Sequence, residues 1–253
     1  RAFPDGYVTA PPDFVGVGAQ RCGTTWWFRQ ITLHPRVAFE EHIHRKEVHY
    51  FDSLSGVERL TPEQIERYTR YFPRPPGGQL AGEWTPRYLL YPWVARQLAQ
   101  AAPSTRVLVS LRDPVERYAS GVRWQSRLLR KGPAAGELTL ERIVRQQRRR
   151  GFYAKQVTGL LEAFPREQVL ILQYERCLTH FEDELERTFE FLGLDAALGP
   201  PQGQTTPRAP AGSGLSDDER DALARDYAAD VRRLVEIAPE IDPALWPSVR
   251  DLV

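Results

Sequence analysis

The sequence predicts an α/β fold, a single P-loop-like domain whose central parallel sheet is flanked by helices on both faces. Three observations carry this. Short apolar runs of strand length, Phe14-Val15-Gly16-Val17-Gly18, Arg106-Val107-Leu108-Val109-Ser110-Leu111 and Val169-Leu170-Ile171-Leu172, alternate with longer stretches of helical periodicity. Such runs are apolar on both faces, as strands covered on both sides must be. The first of them also passes through a glycine-containing turn straight into a helix. Finally, 253 residues with 42% hydrophobic and 26% charged content suit one core and exclude disordered or fibrous chains.

Taken in order, residues 1–13 read as an N-terminal extension, and Phe14 to Gly18 as a buried strand. Thr24 to Leu33 reads as a helix stopped near His34-Pro35, and Val48 to Phe51 as an extended or strand-like segment. Thr61 as N-cap, Pro62 at the first position and Glu63 in the first turn open a helix towards Tyr71. Leu80 to Trp84 reads as a short strand, and Val94 to Ala102 as a helix ended by Pro103. The strongest strand, Arg106 to Leu111, leads into a helix capped by Asp113-Pro114 and running towards Arg130. Leu138 to Arg150 and Phe152 to Phe164 are helical by pattern; after the strand Val169 to Leu172 comes a helix ending at Leu192-Gly193. Residues 195–215 are a long Gly/Pro-rich loop, and 216–253 form a closing helix and tail. The whole of 1–253 reads as one domain, without repeats.

A net charge of +1 excludes a nucleic-acid binder that relies on bulk charge. Of the 34 basic residues only Lys46, Lys131 and Lys155 are lysines, a preference that codon bias alone explains for most arginines. No run approaches the ~20 apolar residues of a membrane span. Two cysteines, Cys22 and Cys177, are too few for a disulfide scaffold, and no spacing of Cys, His, Asp or Glu marks a metal site. The expectation is a cytoplasmic chain that needs no metal; the lack of Met at position 1 reads as trimming or processing.

The turn Gly18-Ala19-Gln20-Arg21-Cys22-Gly23-Thr24-Thr25 has the shape of an anion site, with successive backbone N–H groups facing a helix N-terminus. Its spacing is that of a P-loop, but Thr24 stands where the Walker lysine belongs. That substitution argues against a nucleoside triphosphate. What remains suits a compact phosphate: backbone donors, the hydroxyls of Thr24 and Thr25, and the guanidinium of Arg21. The alternative is a plain βα turn in which glycine serves packing. Leu111-Arg112-Asp113-Pro114 repeats the arrangement at another strand end, with Ser120 two turns into the helix. Two anion sites on one sheet suggest a ligand with two separated phosphates.

These residues resemble the 3′-phosphoadenosine-5′-phosphosulfate (PAPS)-dependent sulfotransferases, most strongly the branch of heparan sulfate N- and 3-O-sulfotransferases and their bacterial relatives. The 5′-phosphosulfate loop of that family resembles Gln20-Arg21-Cys22-Gly23-Thr24-Thr25, with Trp26 following. Its 3′-phosphate motif resembles Leu111 to Ser120, which implies that Arg112 and Ser120 bind the 3′-phosphate. Lys46-Glu47-Val48-His49-Tyr50-Phe51-Asp52 resembles the segment carrying the branch's catalytic base, which implies Glu47. Glu83-Trp84-Thr85-Pro86-Arg87-Tyr88 resembles a further active-site segment, and Gly151-Phe152-Tyr153, Phe164-Pro165 and Phe189 to Leu194 resemble later landmarks, so the likeness spans about residues 14 to 194, with a looser match to the closing helix and Trp246. The family often has Lys where Arg21 stands, and the carbohydrate branch often has Lys where Trp84 stands.

The resemblance implies sulfuryl transfer from PAPS to an acceptor hydroxyl on a sugar, glycolipid or small metabolite, leaving adenosine 3′,5′-bisphosphate (PAP). Arg21 would stabilise the leaving phosphate, since a guanidinium brings charge without easy deprotonation. Glu47 would take the acceptor proton and His49, two residues on, would orient the acceptor or share that proton. A solvated carboxylate paired with Lys46 or Arg45 is the alternative for Glu47. Trp84 would offer a sugar-stacking or apolar surface to the acceptor. Tyr153 and Trp124 are candidates to border adenine, and Arg208 to cover the nucleotide. His42 and His44 read as loop histidines or as lining of the acceptor entrance; Arg145, Arg148, Arg149 and Arg150 read as a solvated basic face. A small-molecule P-loop kinase and a non-catalytic nucleotide-binding module stay open as alternatives, as does the oligomeric state.

Overall fold

In the computed structural model, which describes residues 3–129, 139–199 and 214–253, the chain opens with a two-residue strand β1 (Val8–Thr9). Strand β2 (Phe14–Gly18) enters the core and turns into helix α1 (Thr24–Thr32). After α2 (Pro62–Thr69), strand β3 (Pro73–Arg74) pairs antiparallel with β1, so part of the N-terminal extension forms a small ribbon that composition did not signal. There follow β4 (Gly82–Trp84), α3 (Val94–Ala101), β5 (Arg106–Leu111), α4 (Pro114–Leu129), α5 (Leu140–Arg149) and α6 (Ala154–Leu161). Strand β6 (Val169–Gln173), α7 (Tyr174–Thr179), α8 (Phe181–Leu192) and α9 (Asp217–Ile237) complete the order.

The sheet order is β4-β2-β5-β6, and every pairing is parallel. The alternation of side chains explains why both faces are apolar. Val15, Val17, Val107, Val109, Leu111, Val169 and Ile171 face a core shared with residues of α2, α3, α6 and α9. Phe14, Leu108, Leu170 and Leu172 face the opposite core, covered by Trp27, Phe28 and Ile31 of α1 and Leu185, Phe189 and Leu192 of α8. The chain leaves β2 towards β4 on one side and returns to β5 on the other. Its carboxyl ends therefore open the crevice where open α/β sheets bind ligands.

Local signals account for most element ends. Thr61 accepts from the Gln64 amide and Gln64 returns the bond, a capping box at α2; Ser216 and Glu219 repeat it at α9. Gly193 takes a left-handed conformation and stops α8. The helix expected after β6 is two, α7 and α8, broken at His180. The segment Val48 to Phe51, expected extended, is instead a turn: His49 has φ 57 and Tyr50–Ser53 is a 3-10 helix. Side chains from other elements hold its amides, so no neighbouring strand is needed. Among the described residues no helix is long and apolar enough to cross a membrane.

Candidate active site

The loop from β2 to α1 carries the first candidate anion site. Arg21 at φ 72 and Gly23 at φ 76 curl the backbone, and no side chain caps the start of α1. Gly23 is required twice over, by its φ and because an added Cβ would lie 2.5 Å from the Tyr174 ring. The loop is moored to β5: Ser110 Oγ donates to the Cys22 carbonyl at 2.7 Å and the Ala19 amide to the Ser110 carbonyl at 2.8 Å. Cys22 is buried, and burial pushes its thiol up to about 12, so it serves packing rather than reactivity. Thr24 is buried, Thr25 is exposed and Trp26 half-buried. Two polar atoms here, Gln20 Oε1 of the loop and Trp26 Nε1 in the first turn of α1, are buried without a hydrogen-bond partner among the described residues. Such orphans in a turn of this shape fit a ligand that supplies both a donor and acceptors.

Arg112 follows β5 at the same sheet edge. Its guanidinium packs 5.0 Å from the Tyr174 ring centroid, lies 3.6 Å from Glu116 and donates to the Arg21 carbonyl at 3.4 Å. Arg21 in turn donates through Nε to Ser120 Oγ at 3.1 Å and lies over Trp124 at 5.8 Å. The structure thus gathers Arg21, Arg112 and Ser120, far apart in sequence, into one cluster. Desolvation first, and then the guanidinium of Arg112 with those of Arg123 and Arg127, hold Arg21 below the usual arginine range.

The Arg112 turn is clamped from behind. Asp113 caps α4 through the Val115 amide and accepts the Ser248 amide of the tail at 3.0 Å. Glu175 accepts the Asp113 amide at 3.0 Å and the Trp246 indole N–H at 2.9 Å. Burial outweighs these donors and pushes Glu175 up to about 7 from its ordinary 4.5. A carboxyl raised in the folded state binds more protons there than in the unfolded chain. Its contribution to stability is full below about 4.5 and is lost as pH rises through about 7. Urea titrations across that window should show wild-type stability falling with pH, and Glu175→Gln should flatten the fall; parallel profiles would refute the assignment.

The third part of the site is the segment after Lys46. Lys46 Nζ donates to Glu47 Oε1 at 2.8 Å and to the Trp84 carbonyl at 3.4 Å. His49 stands between two carboxylates, with Nε2 3.2 Å from Glu47 Oε2 and Nδ1 3.0 Å from Asp52 Oδ2. Arg87 approaches the same Asp52 oxygen at 3.8 Å. Both oxygens of Glu47 are therefore oriented, one by an ammonium and one by an imidazole, while the carboxylate stays open to solvent. The pairing with Lys46 that was the alternative reading is present alongside the His49 contact.

Trp84 is placed differently from expectation. It is fully buried rather than lining an acceptor surface, because its indole lies on Gly16, where a Cβ would come within 2.0 Å. Its Nε1 donates to the Gly18 carbonyl at 3.0 Å and its amide pairs with the Lys46 carbonyl at 2.6 Å, so it couples the phosphate loop to the Glu47 segment. Tyr153 is likewise fully buried, with no face open to a purine. Its hydroxyl donates to the Arg112 carbonyl at 2.9 Å and lies 3.9 Å from Cys22 Sγ, joining the two anion loops. Trp124, 43% exposed beside Arg21, keeps the open ring that a base needs. His44 is buried between the Glu40 amide and the Pro73 carbonyl and does not line an entrance, while His42 is exposed near Glu40. Arg150 departs from a solvated face: burial and the charges of Arg117 and Arg87 push it down to about 10. Arg208 lies outside the described residues.

Sequence reasoning placed Glu83 in a segment resembling part of an active site but gave it no role of its own. Fully buried, it accepts four hydrogen bonds: Val48 N–H at 2.9 Å and Thr85 Oγ1 at 2.5 Å on one oxygen, Tyr68 at 2.8 Å and Tyr88 at 3.3 Å on the other. Burial still pushes it up to about 7 against these donors. An acidic residue inside an otherwise apolar strand was the available signal. Among the described residues no group of three or more His, Cys, Asp or Glu could hold a metal ion.

Residues 11–206 match the sulfotransferase domain family. The chain is 30% identical over 149 residues to a membrane-associated sulfotransferase of Dictyostelium discoideum, covering 56% of this chain and 29% of that protein. It is 27% identical over 195 residues to the human heparan sulfate glucosamine 3-O-sulfotransferase 3B1, covering 72% of this chain and 46% of that one. It thus spans less than half the length of these two relatives. Among solved structures, a sulfotransferase from Alicyclobacillus acidocaldarius superposes with a TM-score of 0.73 at 26% identity, covering 94% of this chain and 99% of that one. With the β2–α1 loop and the Arg112 turn in contact and the Glu47 segment joined to that loop through Trp84, the chain belongs to the sulfotransferase domain family, a family of PAPS-dependent transferases.

Proposed function

We propose that the chain, as one domain, transfers the sulfuryl group of PAPS to an acceptor hydroxyl on a sugar, glycolipid or small metabolite and releases PAP. The observation that carries this reading is the clustering of Arg21, Arg112 and Ser120 on one loop pair, joined through Trp84 to the segment that carries a doubly oriented carboxylate. PAPS is the substrate in this reading, and the guanidinium groups of Arg21 and Arg112 suit its charge. Arg112 and Ser120 hold the 3′-phosphate, while the α1 N-terminus and the Thr24 and Thr25 hydroxyls receive the 5′-phosphosulfate. Glu47 accepts the proton of the attacking hydroxyl, kept in orientation by Lys46 and by His49, which Asp52 supports from behind. Arg21 stabilises the negative charge that grows on the oxygen bridging sulfur and the 5′-phosphate. Trp84, fully buried, offers the acceptor no surface, and the acceptor class rests on the family likeness. Two buried free thiols, Cys22 and Cys177, suit a reducing compartment such as the cytoplasm.

The reading is tested by calorimetry with PAP in EDTA against ATP with Mg²⁺, and by PAP release from PAPS across a panel of hydroxyl acceptors. Preference for ATP–Mg²⁺ would favour a kinase; tight PAP binding with no turnover on any acceptor would favour a non-catalytic module. Arg112→Ala should weaken PAP by roughly 1.5–3 kcal/mol, the worth of a hydrogen bond to a charged group, and weaken adenosine 5′-phosphate far less. An equal loss for both ligands would show that Arg112 does not read the 3′-phosphate.

A further inference from the structure

Beyond the bond from the Trp84 amide to the Lys46 carbonyl, the backbone that carries Glu47 and His49 is held by side chains rather than by a strand ladder. Three consecutive amides of the segment end on three side chains of one buried network. The Val48 amide donates to Glu83 Oε2 at 2.9 Å, the His49 amide to Thr85 Oγ1 at 3.3 Å and the Tyr50 amide to the Tyr88 hydroxyl at 2.8 Å. Thr85 and Tyr88 in turn both donate to Glu83, so the carboxylate lies at the centre of all three attachments. A carboxylate offers about four lone-pair sites, and here Val48, Thr85, Tyr68 and Tyr88 use four of them. The same attachments enclose His49 in its left-handed conformation, φ 57, which an L-residue adopts only when its surroundings impose it.

We propose that Glu83, acting with Thr85 and Tyr88, is the positioning residue of the reaction: it fixes the backbone of Val48 to Tyr50 and thereby the placement of Glu47 and His49. The inference rests on the reading of Glu47 as the base. Glu83 touches neither substrate; it acts through amides. It also explains why a charged side chain is retained at a fully buried position of β4, where an apolar residue would satisfy the core at lower desolvation cost.

The test uses Thr85→Val, which keeps the side-chain shape and removes the acceptor of the His49 amide, with Glu83→Ala as the stronger variant. Hydrogen exchange of the segment and PAP release from PAPS, with water as the acceptor, are measured on the full chain. In Thr85→Val the His49 amide should exchange about tenfold faster, and turnover should fall about ten- to a hundredfold at unchanged PAP affinity. Placed in a background that carries both Glu47→Gln and His49→Ala, Thr85→Val should cost no further turnover, because it acts only through those two residues. A purely structural weakening would instead lower turnover in both backgrounds and PAP affinity with it, which overturns the proposal. So does wild-type exchange and turnover in Thr85→Val when Glu47→Gln is inactive. If Glu47→Gln itself turns over normally, the base reading falls, and this inference falls with it.

Discussion

Glu47→Gln lowers turnover by about two to four powers of ten, the usual worth of a positioned general base, while PAP binds as in the wild type. The amide keeps the size of the side chain and can still accept from Lys46, so the segment should hold its shape. What is lost is the capacity to take a proton from the attacking hydroxyl. Separate measurement of PAP affinity by calorimetry and of turnover by PAP release distinguishes this from a folding defect. Near-normal turnover would move the base to His49, which stands 3.2 Å away and is backed by Asp52. His49→Ala in a Glu47→Gln background would then abolish what remained.

The second large effect belongs to Arg21. A contact that strengthens as the sulfur–oxygen bond breaks affects turnover more than ground-state binding. Arg21→Ala should reduce turnover by about two to three powers of ten, the worth of one oxyanion donor. Arg21→Lys should recover a good part of it, since the chemistry asks for charge at that point rather than a planar fork. The Nε contact to Ser120 at 3.1 Å adds a second expectation: lysine cannot reproduce that bond geometry, so recovery will be incomplete. If Arg21→Ala alters only the KM for PAPS, Arg21 is an anchor, and Lys46, already 2.8 Å from Glu47, becomes the catalytic cation to test.

The parallel sheet was legible because its strands are apolar on both faces and strand period differs sharply from helix period. Arg21, Arg112 and Ser120 were legible for a related reason: turns at the ends of strands expose their motifs as short contiguous strings. Glu47 and His49 were found as a pair, but for an imperfect reason. An extended segment would put both on one side; the structure brings them together through a left-handed residue instead. Trp84 and Tyr153 were misplaced because aromatic residues near a motif look alike in sequence whether they face a ligand or the core. Only the proximity of Gly16 to the indole, a contact between neighbouring strands, separates the two cases for Trp84. The roles of Glu83 and Glu175 were not legible for the same reason: partners such as the Val48 amide, the Tyr68 hydroxyl, the Asp113 amide and the Trp246 indole arrive from elements remote in the chain.

Arg21 lies within the fields of Arg112, Arg123 and Arg127, and Arg150 within those of Arg117 and Arg87. Like charges held together by a rigid scaffold raise the free energy of the folded chain without raising that of the unfolded one, where they drift apart. A polyanion that binds the fold alone removes this repulsion and adds its own binding energy, so nucleotide concentration becomes a term in the folding equilibrium. At a hundred times its dissociation constant such a ligand adds about 2.7 kcal/mol. At about 2–4 °C per kcal/mol for a chain of this size, that raises the melting point by about 5–11 °C, so thermal unfolding with and without PAP reads the coupling directly.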